Sequence, residues 1–348
     1  MSTTEDTDTV REEQELDYEE AGKYDRNESY AEEAIPKQAL NKDIISECIS
    51  MPYRLGYGFS HAFVKLDCSD RRLSDVNVLR EYIHLRFVIL TNNFITDICP
   101  VSVIGHLIYL KADNNQIENA SCLNSLKYLQ FLDLSGNKLN SIEYMDFPHL
   151  QHLKVNDNMI ASLNGNGYGL QAKHLPVMHT LELRSNKLTS LTGIGDLSAL
   201  KSLYCAENNL RQTEGIGGLT SLVRLHLRDN QIKLLPDFSA AMSSLEYINL
   251  SFMSRLDNPI CDKDDYRLMV IGILNRLQRL DKQRITDSER VEGNALYLSR
   301  QDVEEEESEV EVMEEHHNAE GLAEEMGDEG AKSKAVEEEQ EEEEEEED

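Results

Sequence analysis

The stretch "LVRLHLRDNQI", Leu222 to Ile232, decides the fold of this chain of 348 residues. It places apolar residues at positions one, four, six and eleven, and an asparagine at position nine. The same sequence pattern recurs through the middle of the chain, with starts at Leu85, Leu107, Leu129, Leu150, Met178, Leu200 and Leu222. The steps between these starts are 22, 22, 21, 28, 22 and 22 residues. Position nine is asparagine in all seven copies: Asn93, Asn115, Asn137, Asn158, Asn186, Asn208 and Asn230.

The template L-x-x-L-x-L-x-x-N-x-L is that of a leucine-rich repeat. In a strand at positions three to five, alternation sends side chains four and six inward and side chains three and five outward. One unit cannot bury its apolar side alone, so stacked units share a core and a parallel sheet. The asparagines are predicted to form a structural ladder of amides that bond the turn after each strand. We therefore expect an α/β leucine-rich-repeat solenoid of the SDS22-like type, with a parallel concave sheet, helical caps and disordered acidic tails.

Charge is concentrated at the two ends of the chain. The formal net charge is -32, yet residues 303–348 hold 24 acidic residues against two lysines, and residues 1–35 hold 13 against three basic ones. Such segments lack the apolar content that would offset the entropy of ordering, which predicts disorder. The acidic tails argue against direct binding to nucleic acid or to an anionic membrane. They either keep the chain soluble or form an arm for a basic partner such as a histone.

Five regions are predicted along the chain: a disordered acidic tail at 1–35, a capping helix and linker at 36–60, the repeats at 61–257, a C-terminal cap at 258–285, and a helical extension with a disordered poly-Glu tail at 286–348. In the first cap, Leu40, Ile44 and Cys48 are expected to share one helical face, with Pro36 in the first turn. "TDSE" (286–289) is a capping-box signal, which predicts a helix leading into the acidic tail.

Two places break the period. The 28-residue step contains "NGNGYGLQAKH" (164–174), a glycine-rich extension that predicts a surface loop. Near the end, a repeat starts at Leu245 but has Met253 at position nine, whereas Asn258 fits a start at Leu250. This conflict predicts two fused repeats, with most of one missing.

The N-terminal sequence, the apolar runs and the cysteines indicate the cellular compartment in which the protein is expected. "MSTTEDTDTV" is not a secretory signal, and no later apolar run is long enough to cross a membrane. We therefore expect an intracellular protein whose six cysteines are reduced. Cys68 and Cys205 occupy apolar positions of the repeat, so they are expected in the core.

No pattern in the chain points to a reaction. The sequence has no Gly-x-Ser-x-Gly, no His-Glu-x-x-His and no Walker pattern. The pair His316-His317 in the acidic tail is too sparse for a metal site. The prediction is a protein that is not an enzyme, with no cofactor, no metal and no small-molecule substrate.

The outward positions of the strands predict where a protein partner binds. Position three carries Phe87, Tyr109, Phe131 and His152 on neighbouring strands, which lie about 4.8 Å apart, so these rings are expected to form an aromatic column. Such rings either stack to stabilise the sheet or anchor a partner. Position five alternates in sign from Lys111 through Asp133 and Lys154 to Glu182, which predicts either lateral ion pairs or partner contacts.

Our hypothesis is that Ile89, Tyr109 and Phe131 anchor a partner at the N-terminal half of the concave face. Arg184, Arg224 and Arg228 would then contact a more acidic part of that partner. The complete predicted set is Phe87, Ile89, Tyr109, Lys111, Phe131, Asp133, His152, Lys154, Glu182, Arg184, Tyr204, Arg224, His226 and Arg228.

One block of the chain is more specific than a generic repeat. "GFSHAFVKLDCSDRRLSDVNVLREYIHLRFVILTNNFITDI" (58–98), with "LIYLKADNNQI", "LELRSNKL" and "LHLRDNQI", closely resembles the axonemal leucine-rich-repeat-containing protein 23 group. The resemblance spans residues 50–290 and includes the "LDNP…YR…LQRLD" cap. It implies a structural component of the radial spoke, at the spoke head of motile cilia and sperm flagella, where it contacts other spoke-head proteins and supports motility. The group usually carries another complete repeat where this chain has "INLSFMSRLDNP" (248–259).

Two other functional classes of protein are also compatible with the sequence. A leucine-rich domain with a poly-acidic tail also resembles the acidic nuclear regulators that bind histones, although those have fewer repeats. The repeat class and the cap also resemble the phosphatase regulator SDS22. SDS22 lacks the 58–98 block, however, and this chain has no Arg/Lys-x-Val-x-Phe docking motif. The expected location is the cytoskeleton of the cilium or flagellum, at the axoneme.

Overall fold

The computed structural model describes residues 37–54, 60–142, 145–164, 170–239, 241–251 and 258–300. The predicted tails at 1–35 and beyond residue 300 lie outside the described residues, as do Pro36 and the centre of the glycine-rich extension. The described residues from Ala39 onward belong to one compact unit. The other unit, Met1–Gln38, has Lys37 and Gln38 as its described residues.

The secondary structure consists of short strands joined by turns. The described strands are β1 (Gln38–Ala39), β2 (Ile49–Arg54), β3 (His61–Asp67), β4 (Leu73–Asp75), β5 (Phe87–Ile89), β6 (Tyr109–Lys111), β7 (Phe131–Asp133), β8 (His152–Lys154), β9 (Thr180–Glu182), β10 (Ser202–Tyr204), β11 (Arg224–His226), β12 (Tyr247–Asn249), β13 (Arg279–Leu280) and β14 (Gln283–Arg284). The described α-helices are α1 (Lys42–Cys48), α2 (Tyr266–Ile273) and α3 (residues 287–300). Single 3-10 turns span Asn77–Glu81, Cys99–Val103, Ser121–Ser125 and Pro259–Asp262.

A sheet of 12 strands runs through the repeats in the order β14-β13-β12-β11-β10-β9-β8-β7-β6-β5-β3-β2. Neighbours from β3 to β13 are parallel, whereas β2 and β14 run antiparallel to the strands they join. Strands β5 to β12 each occupy positions three to five of a repeat, and position three of one repeat is in register with position three of the next. The predicted leucine-rich-repeat solenoid with a parallel sheet is therefore confirmed.

The core lies behind the sheet, on the side opposite the outward positions three and five. Leu107 and Leu110, at positions one and four of one repeat, are 0% exposed, and so are Leu129 and Leu132 in the next. Burying one such leucine stabilises a fold by about 1.5–3 kcal/mol. Each repeat supplies several of these side chains, and a neighbouring repeat on each side is needed to cover them.

The seven asparagines at position nine form a continuous ladder of amides, each 5–8% exposed. Asn115 shows the pattern: its Oδ1 accepts the backbone N–H of Ile95 at 3.1 Å, and its Nδ2 donates to the carbonyls of Leu90, Ala112 and Asp113 at 2.9–3.1 Å. Two of these bonds reach back about one repeat, to Leu90 and Ile95. Each amide therefore ties its own turn to the preceding repeat and satisfies backbone groups that would otherwise be buried without partners.

The N-terminal helix is shorter than the sequence predicts. Helix α1 begins after Asn41, whose side chain accepts the backbone N–H of Ile44 at 2.9 Å. Leu40 precedes the helix, Ile44 is half-buried, and the buried helical side chains are Ile45 and Cys48. The predicted face of Leu40, Ile44 and Cys48 is therefore only partly right, because a cap at Asn41 shifts the helix by several residues.

The predicted linker after α1 is wrong over residues 49–54. These residues form β2, which pairs with β3 from Ile49 opposite Leu66 to Arg54 opposite His61. The physical reason is the free edge of β3, whose unpaired backbone groups an antiparallel return of the chain can bond.

The irregular repeat near the C-terminus has one described strand, β12, and one ladder amide. Asn258 Oδ1 accepts the N–H of Ile232 at 2.9 Å, and its Nδ2 donates to the carbonyls of Leu227 at 2.8 Å and Leu250 at 2.7 Å. Asn258 follows Leu250 by 8 residues, whereas Asn230 follows the equivalent Leu227 by 3. Asn258 thus completes the ladder of the repeat that begins at Leu245, with five more residues after its sixth position than the template has. Residues 252–257 lie outside the described residues, and the fusion of two repeats stays a prediction.

Helix α3 begins with the predicted capping box. The backbone N–H of Thr286 donates to Glu289 Oε2 at 2.8 Å, and the N–H of Glu289 donates to Thr286 Oγ1 at 3.3 Å. Arg267 Nε of α2 lies 2.7 Å from Glu289 Oε1. The hydrogen bond from Arg267, reinforced by the backbone of Thr286, lowers the pKa of Glu289 to about 2. This ion pair joins α3 to the cap helix α2.

The cysteines do not all follow the sequence prediction. Cys99 and Cys122 form a disulfide, with Cα atoms 5.5 Å apart, which corrects the expectation of six reduced cysteines. They lie 23 residues apart, on the return turns of successive repeats, and stacking brings such positions side by side. Cys68 and Cys205 are buried in the core, and burial raises the pKa of both thiols.

Gly215 is expected to tolerate no side chain in its return turn. Its φ is +101°, and an added Cβ would lie 2.6 Å from the backbone of Leu191 and Thr192. We expect Gly215→Ala to lower the free energy of unfolding by about 2–3 kcal/mol, because the backbone strain adds to a clash with atoms that cannot move aside. Urea unfolding followed by circular dichroism measures the change. Gly217→Ala is the matched control, since its Cβ would meet Asp237 at an ordinary 3.5 Å; equal losses in both variants would contradict the explanation.

Candidate protein-interaction site

Four rings at position three lie side by side across β5 to β8, and we call Phe87, Tyr109, Phe131 and His152 the aromatic column. The ring centroids are 6.3 Å apart for Phe87 and Tyr109, 4.4 Å for Tyr109 and Phe131, and 6.2 Å for Phe131 and His152. Tyr109 and Phe131 are stacked, with 6° between their planes. All four side chains are half-buried, as is Ile89 at position five of β5. The column is therefore an ordered and partly exposed aromatic surface.

The two ionisable rings of the column are uncharged near neutral pH. Burial, followed by the nearby carboxylate of Asp133, raises the pKa of the Tyr109 phenol above its usual 10.0. Burial, followed by the neighbouring His179, lowers the pKa of His152 below 6.5. The column therefore presents neutral rings, which suits apolar contact with a partner.

The row of charges at position five forms fewer lateral pairs than its alternating sign predicts. Lys154 Nζ of β8 lies 2.7 Å from Glu182 Oε1 of β9, so this lateral pair is present. Lys111 instead has Asp113 of its own repeat at 3.8 Å. Asp133 is 7% exposed and accepts a backbone N–H two residues on at 3.0 Å. The prediction of an exposed Asp133 is therefore wrong, because this carboxylate caps its own turn.

A second ring cluster lies toward the C-terminal repeats, and we call Tyr204, His226 and Tyr247 the C-terminal stack. The His226 ring lies 4.6 Å from that of Tyr204 and 4.9 Å from that of Tyr247. His226 is only 3% exposed, so its predicted place on an exposed binding surface is wrong. The reason is local: the imidazole is enclosed between two tyrosine rings.

Four cations act electrostatically on the His226 imidazole, and we call Arg184, Arg224, Arg228 and Lys282 the basic cluster. Burial first, and then these four positive charges, lower the pKa of His226 from 6.5 to about 3. Arg224 and Lys282 are exposed, whereas Arg184 and Arg228 are half-buried. The three predicted arginines thus share an electrostatic effect on one imidazole. Lys282 shares it too, and the repeat pattern did not indicate Lys282 because it belongs to the turn between β13 and β14.

A second row of rings was not predicted from the sequence. His106, Tyr128 and His149 lie next to one another, with centroids 5.3 Å and 5.9 Å apart. Tyr128 is 50% exposed. The signal was present, because each of these residues stands immediately before position one of a repeat and stacking aligns every position of the template.

The buried His226 predicts a specific dependence of stability on pH. Its pKa is lowered from 6.5 to about 3 in the folded chain. Below pH 6.5 this imidazole therefore binds a proton in the unfolded chain but stays neutral in the folded chain. The free energy of unfolding should therefore fall by about 1.4 kcal/mol per pH unit from this group as the pH drops from 6.5 toward 3. Between pH 7 and pH 5 the wild type should lose about 2 kcal/mol more than His226→Phe, which keeps a ring in the stack. Parallel losses in urea unfolding of the two proteins would contradict the burial of a neutral imidazole.

Neither a metal site nor a membrane span emerges from the described part of the chain. No group of three or more His, Cys, Asp or Glu side chains there is placed to hold a metal ion. None of the described helices combines the length and the apolarity that crossing a bilayer would require.

Known proteins confirm the repeat and decide the family. A family model described as "Leucine-rich repeat" matches residues 193–309, and another described as "Leucine Rich Repeat" matches residues 128–153. Leucine-rich repeat-containing protein 23 of Bos taurus is 37% identical over 298 residues, covering 74% of this chain and 79% of the bovine protein. The chain belongs to the leucine-rich repeat-containing protein 23 family. The member from Mus musculus is also 37% identical, and the match covers 85% of this chain and 93% of the mouse protein.

Solved structures agree with the architecture. The leucine-rich-repeat protein LIC12759 of Leptospira interrogans matches with a TM-score of 0.51 and 19% identity, covering 65% of this chain and 57% of that protein. This likeness concerns the fold alone. Repeats of this kind characteristically serve as non-enzymatic scaffolds for protein–protein interaction, because their extended concave surface is built from outward side chains in register. Membership of the leucine-rich repeat-containing protein 23 family and the solenoid together support that class of function for this chain.

Proposed function

We propose that this protein is a structural component of the radial spoke in the axoneme of motile cilia and sperm flagella, and that it supports motility there. In this proposal it contacts other spoke-head proteins through its concave face. The observation that carries the proposal is the aromatic column, together with the specific likeness of residues 58–98 to the axonemal group. The histone-binding and phosphatase-regulating alternatives receive no comparable support.

The aromatic column has the properties of a binding anchor. Its rings are held in register by the parallel pairing of β5 to β8, and Tyr109 and Phe131 stack at 4.4 Å. Stacking alone stabilises a sheet by about 0.5–1.5 kcal/mol per pair, which accounts for the order of the rings. It does not account for the part of each ring that stays exposed, since large apolar side chains in a row are normally covered in a soluble protein.

Rigidity makes the column suited to a permanent assembly. The amide ladder fixes every turn that follows a column strand: Asn93, Asn115, Asn137 and Asn158 each donate to backbone carbonyls of two successive repeats. A partner that binds the column therefore meets rings that are already ordered, and the entropy cost of binding is reduced.

The location can be tested by fractionation of ciliated cells. Detergent removes the membrane and the soluble matrix, and the remaining axonemes are probed for the chain in increasing salt. We expect the chain to stay on the axoneme at moderate salt, as a built-in component would. Complete release, with the cellular pool in the nucleus, would reject the spoke proposal and favour the histone-binding class.

A further inference from the structure

The disulfide between Cys99 and Cys122 joins two neighbouring return turns. Cys99 opens the 3-10 turn between β5 and β6, and Cys122 lies in the 3-10 turn between β6 and β7. Both cysteines are half-buried, so the bond lies near the surface. Of the four cysteines outside this bond, three are buried. Disulfides near the surface are typically the labile or regulatory ones, whereas buried thiols are inert.

The two turns are also held together by contacts other than the disulfide. Val101 and Leu123, one from each turn, are 0% exposed and belong to the core. Ser125 Oγ donates to the carbonyl of Ser102 at 2.8 Å, so a hydrogen bond joins the turns as well. Reduction would therefore open the disulfide while the repeats stay folded.

The disulfide adds a covalent constraint to the repeats that carry the aromatic column. It spans 23 positions of the chain, and its Cα atoms are 5.5 Å apart. A crosslink restricts the unfolded chain, and it also limits how far the two turns separate in the folded one. These turns connect the strands of Phe87, Tyr109 and Phe131. The closed bond therefore restrains local opening directly behind these rings.

We propose that Cys99 and Cys122 form a thiol–disulfide exchange site, which a dithiol reduces and a disulfide reagent reoxidises while the protein stays folded. The oxidised form restrains the return turns behind the aromatic column, and the reduced form lets them open more often. The column keeps its rings in both forms, because the parallel strands and the amide ladder remain paired. The proposal goes beyond the scaffold function and does not depend on it.

The reduction proceeds in two balanced steps. A thiolate of the dithiol attacks one sulfur of the Cys99–Cys122 bond and forms a mixed disulfide, while the other cysteine leaves as a thiolate and takes up a proton. The second thiolate of the dithiol then attacks its own reagent's sulfur in the mixed disulfide. This step closes a disulfide within the reagent and releases the remaining cysteine, which also takes up a proton. The protein gains two electrons and two protons, and the dithiol loses them.

Alkylation of the purified full chain tests whether the exchange occurs in the folded state. The chain is first incubated with oxidised glutathione, and half of it is then treated with dithiothreitol without denaturant. Iodoacetamide labels the accessible thiols, and mass spectrometry locates the label. We expect Cys99 and Cys122 to be labelled only after dithiothreitol, and the buried cysteines to stay unlabelled in both samples.

Hydrogen exchange of the same two samples tests the structural consequence. The backbone N–H groups of Ile104 and Leu126 close the two return turns with hydrogen bonds of 3.0 Å and 2.9 Å. After reduction we expect these two amides to exchange at least about tenfold faster, because local opening is no longer restrained. Leu197 and Leu219 also lie three residues before position one of a repeat, with hydrogen bonds of 3.0 Å. Their exchange rates should not change, so they serve as matched controls.

Two variants separate the disulfide from other effects of the reagent. Cys99→Ala/Cys122→Ala should exchange at the fast rate with and without dithiothreitol. Cys261→Ala, which changes the other half-buried cysteine, should keep the full response.

Three results would each overturn the proposal. Cys99 and Cys122 would be alkylated without a reductant, or they would resist dithiothreitol until the chain is denatured, or reduction would leave the exchange of Ile104 and Leu126 unchanged. The assays use the isolated chain, so they can fail while axonemal retention succeeds, and the reverse.

Discussion

Asn115→Ala is expected to lower the free energy of unfolding by about 2–4 kcal/mol. The side chain is 6% exposed and makes four hydrogen bonds to backbone groups, at 2.9–3.1 Å. Alanine would leave the buried N–H of Ile95 without its acceptor and remove the donor shared by three carbonyls. Because two of the bonds cross to the preceding repeat, the variant also weakens the interface on which the solenoid depends. Urea unfolding monitored by circular dichroism measures the loss.

The matched control is Asn140→Ala, which removes an exposed asparagine outside the ladder. Surface changes of that kind normally stay within about 0.5 kcal/mol. A similar, small effect in both variants would mean that the amide ladder contributes little and that leucine packing alone holds the repeats. A large loss at Asn115 and a small one at Asn140 is the expected result.

The second large effect concerns binding to the axoneme. Tyr109→Ala/Phe131→Ala removes the stacked pair at the centre of the aromatic column while keeping the inward leucines of β6 and β7. Truncating an interface anchor costs about 2 kcal/mol or more, so we expect the double variant to bind at least about 30-fold more weakly. Axonemes from cells that lack the chain, incubated with increasing amounts of the purified labelled protein, give the apparent Kd.

Tyr128→Ala provides the comparison for that experiment. Tyr128 is an exposed ring that belongs to the second row of rings and lies outside the column. We expect its removal to leave the apparent Kd close to that of the wild type. Wild-type binding by a folded Tyr109→Ala/Phe131→Ala variant would reject the column as the anchor, whatever the location of the protein.

The repetitive part of the fold could be predicted from the sequence because one template fixes it many times over. Period and alternation placed β5 to β12 at positions three to five, and the asparagine at position nine gave the ladder. The same logic placed the aromatic column, since parallel strands in register bring equal positions together. The second row of rings obeys the same rule, at the position before the first leucine, which the template does not include.

Other features depend on contacts that the template does not encode. Strand β2 forms because β3 offers a free edge. Asn258 completes the ladder although it follows Leu250 by 8 residues, whereas Asn230 follows the equivalent Leu227 by 3. The burial of His226 between two tyrosines and the turn-capping role of Asp133 follow from neighbours of the side chain, which alternation alone does not specify. The disulfide between Cys99 and Cys122 depends on the close stacking of successive return turns, which the template does not specify.

Electron cryo-tomography of axonemes would test the central claim most directly. Cells that lack the chain would be rescued either with the wild type or with Tyr109→Ala/Phe131→Ala, and the averaged spokes would be compared. The scaffold account predicts that the wild type restores spoke-head density and that the double variant, present at equal level and folded, leaves it missing. Full spoke-head density with the double variant would contradict the role of the concave aromatic column, and intact spokes in the unrescued cells would contradict the scaffold function itself.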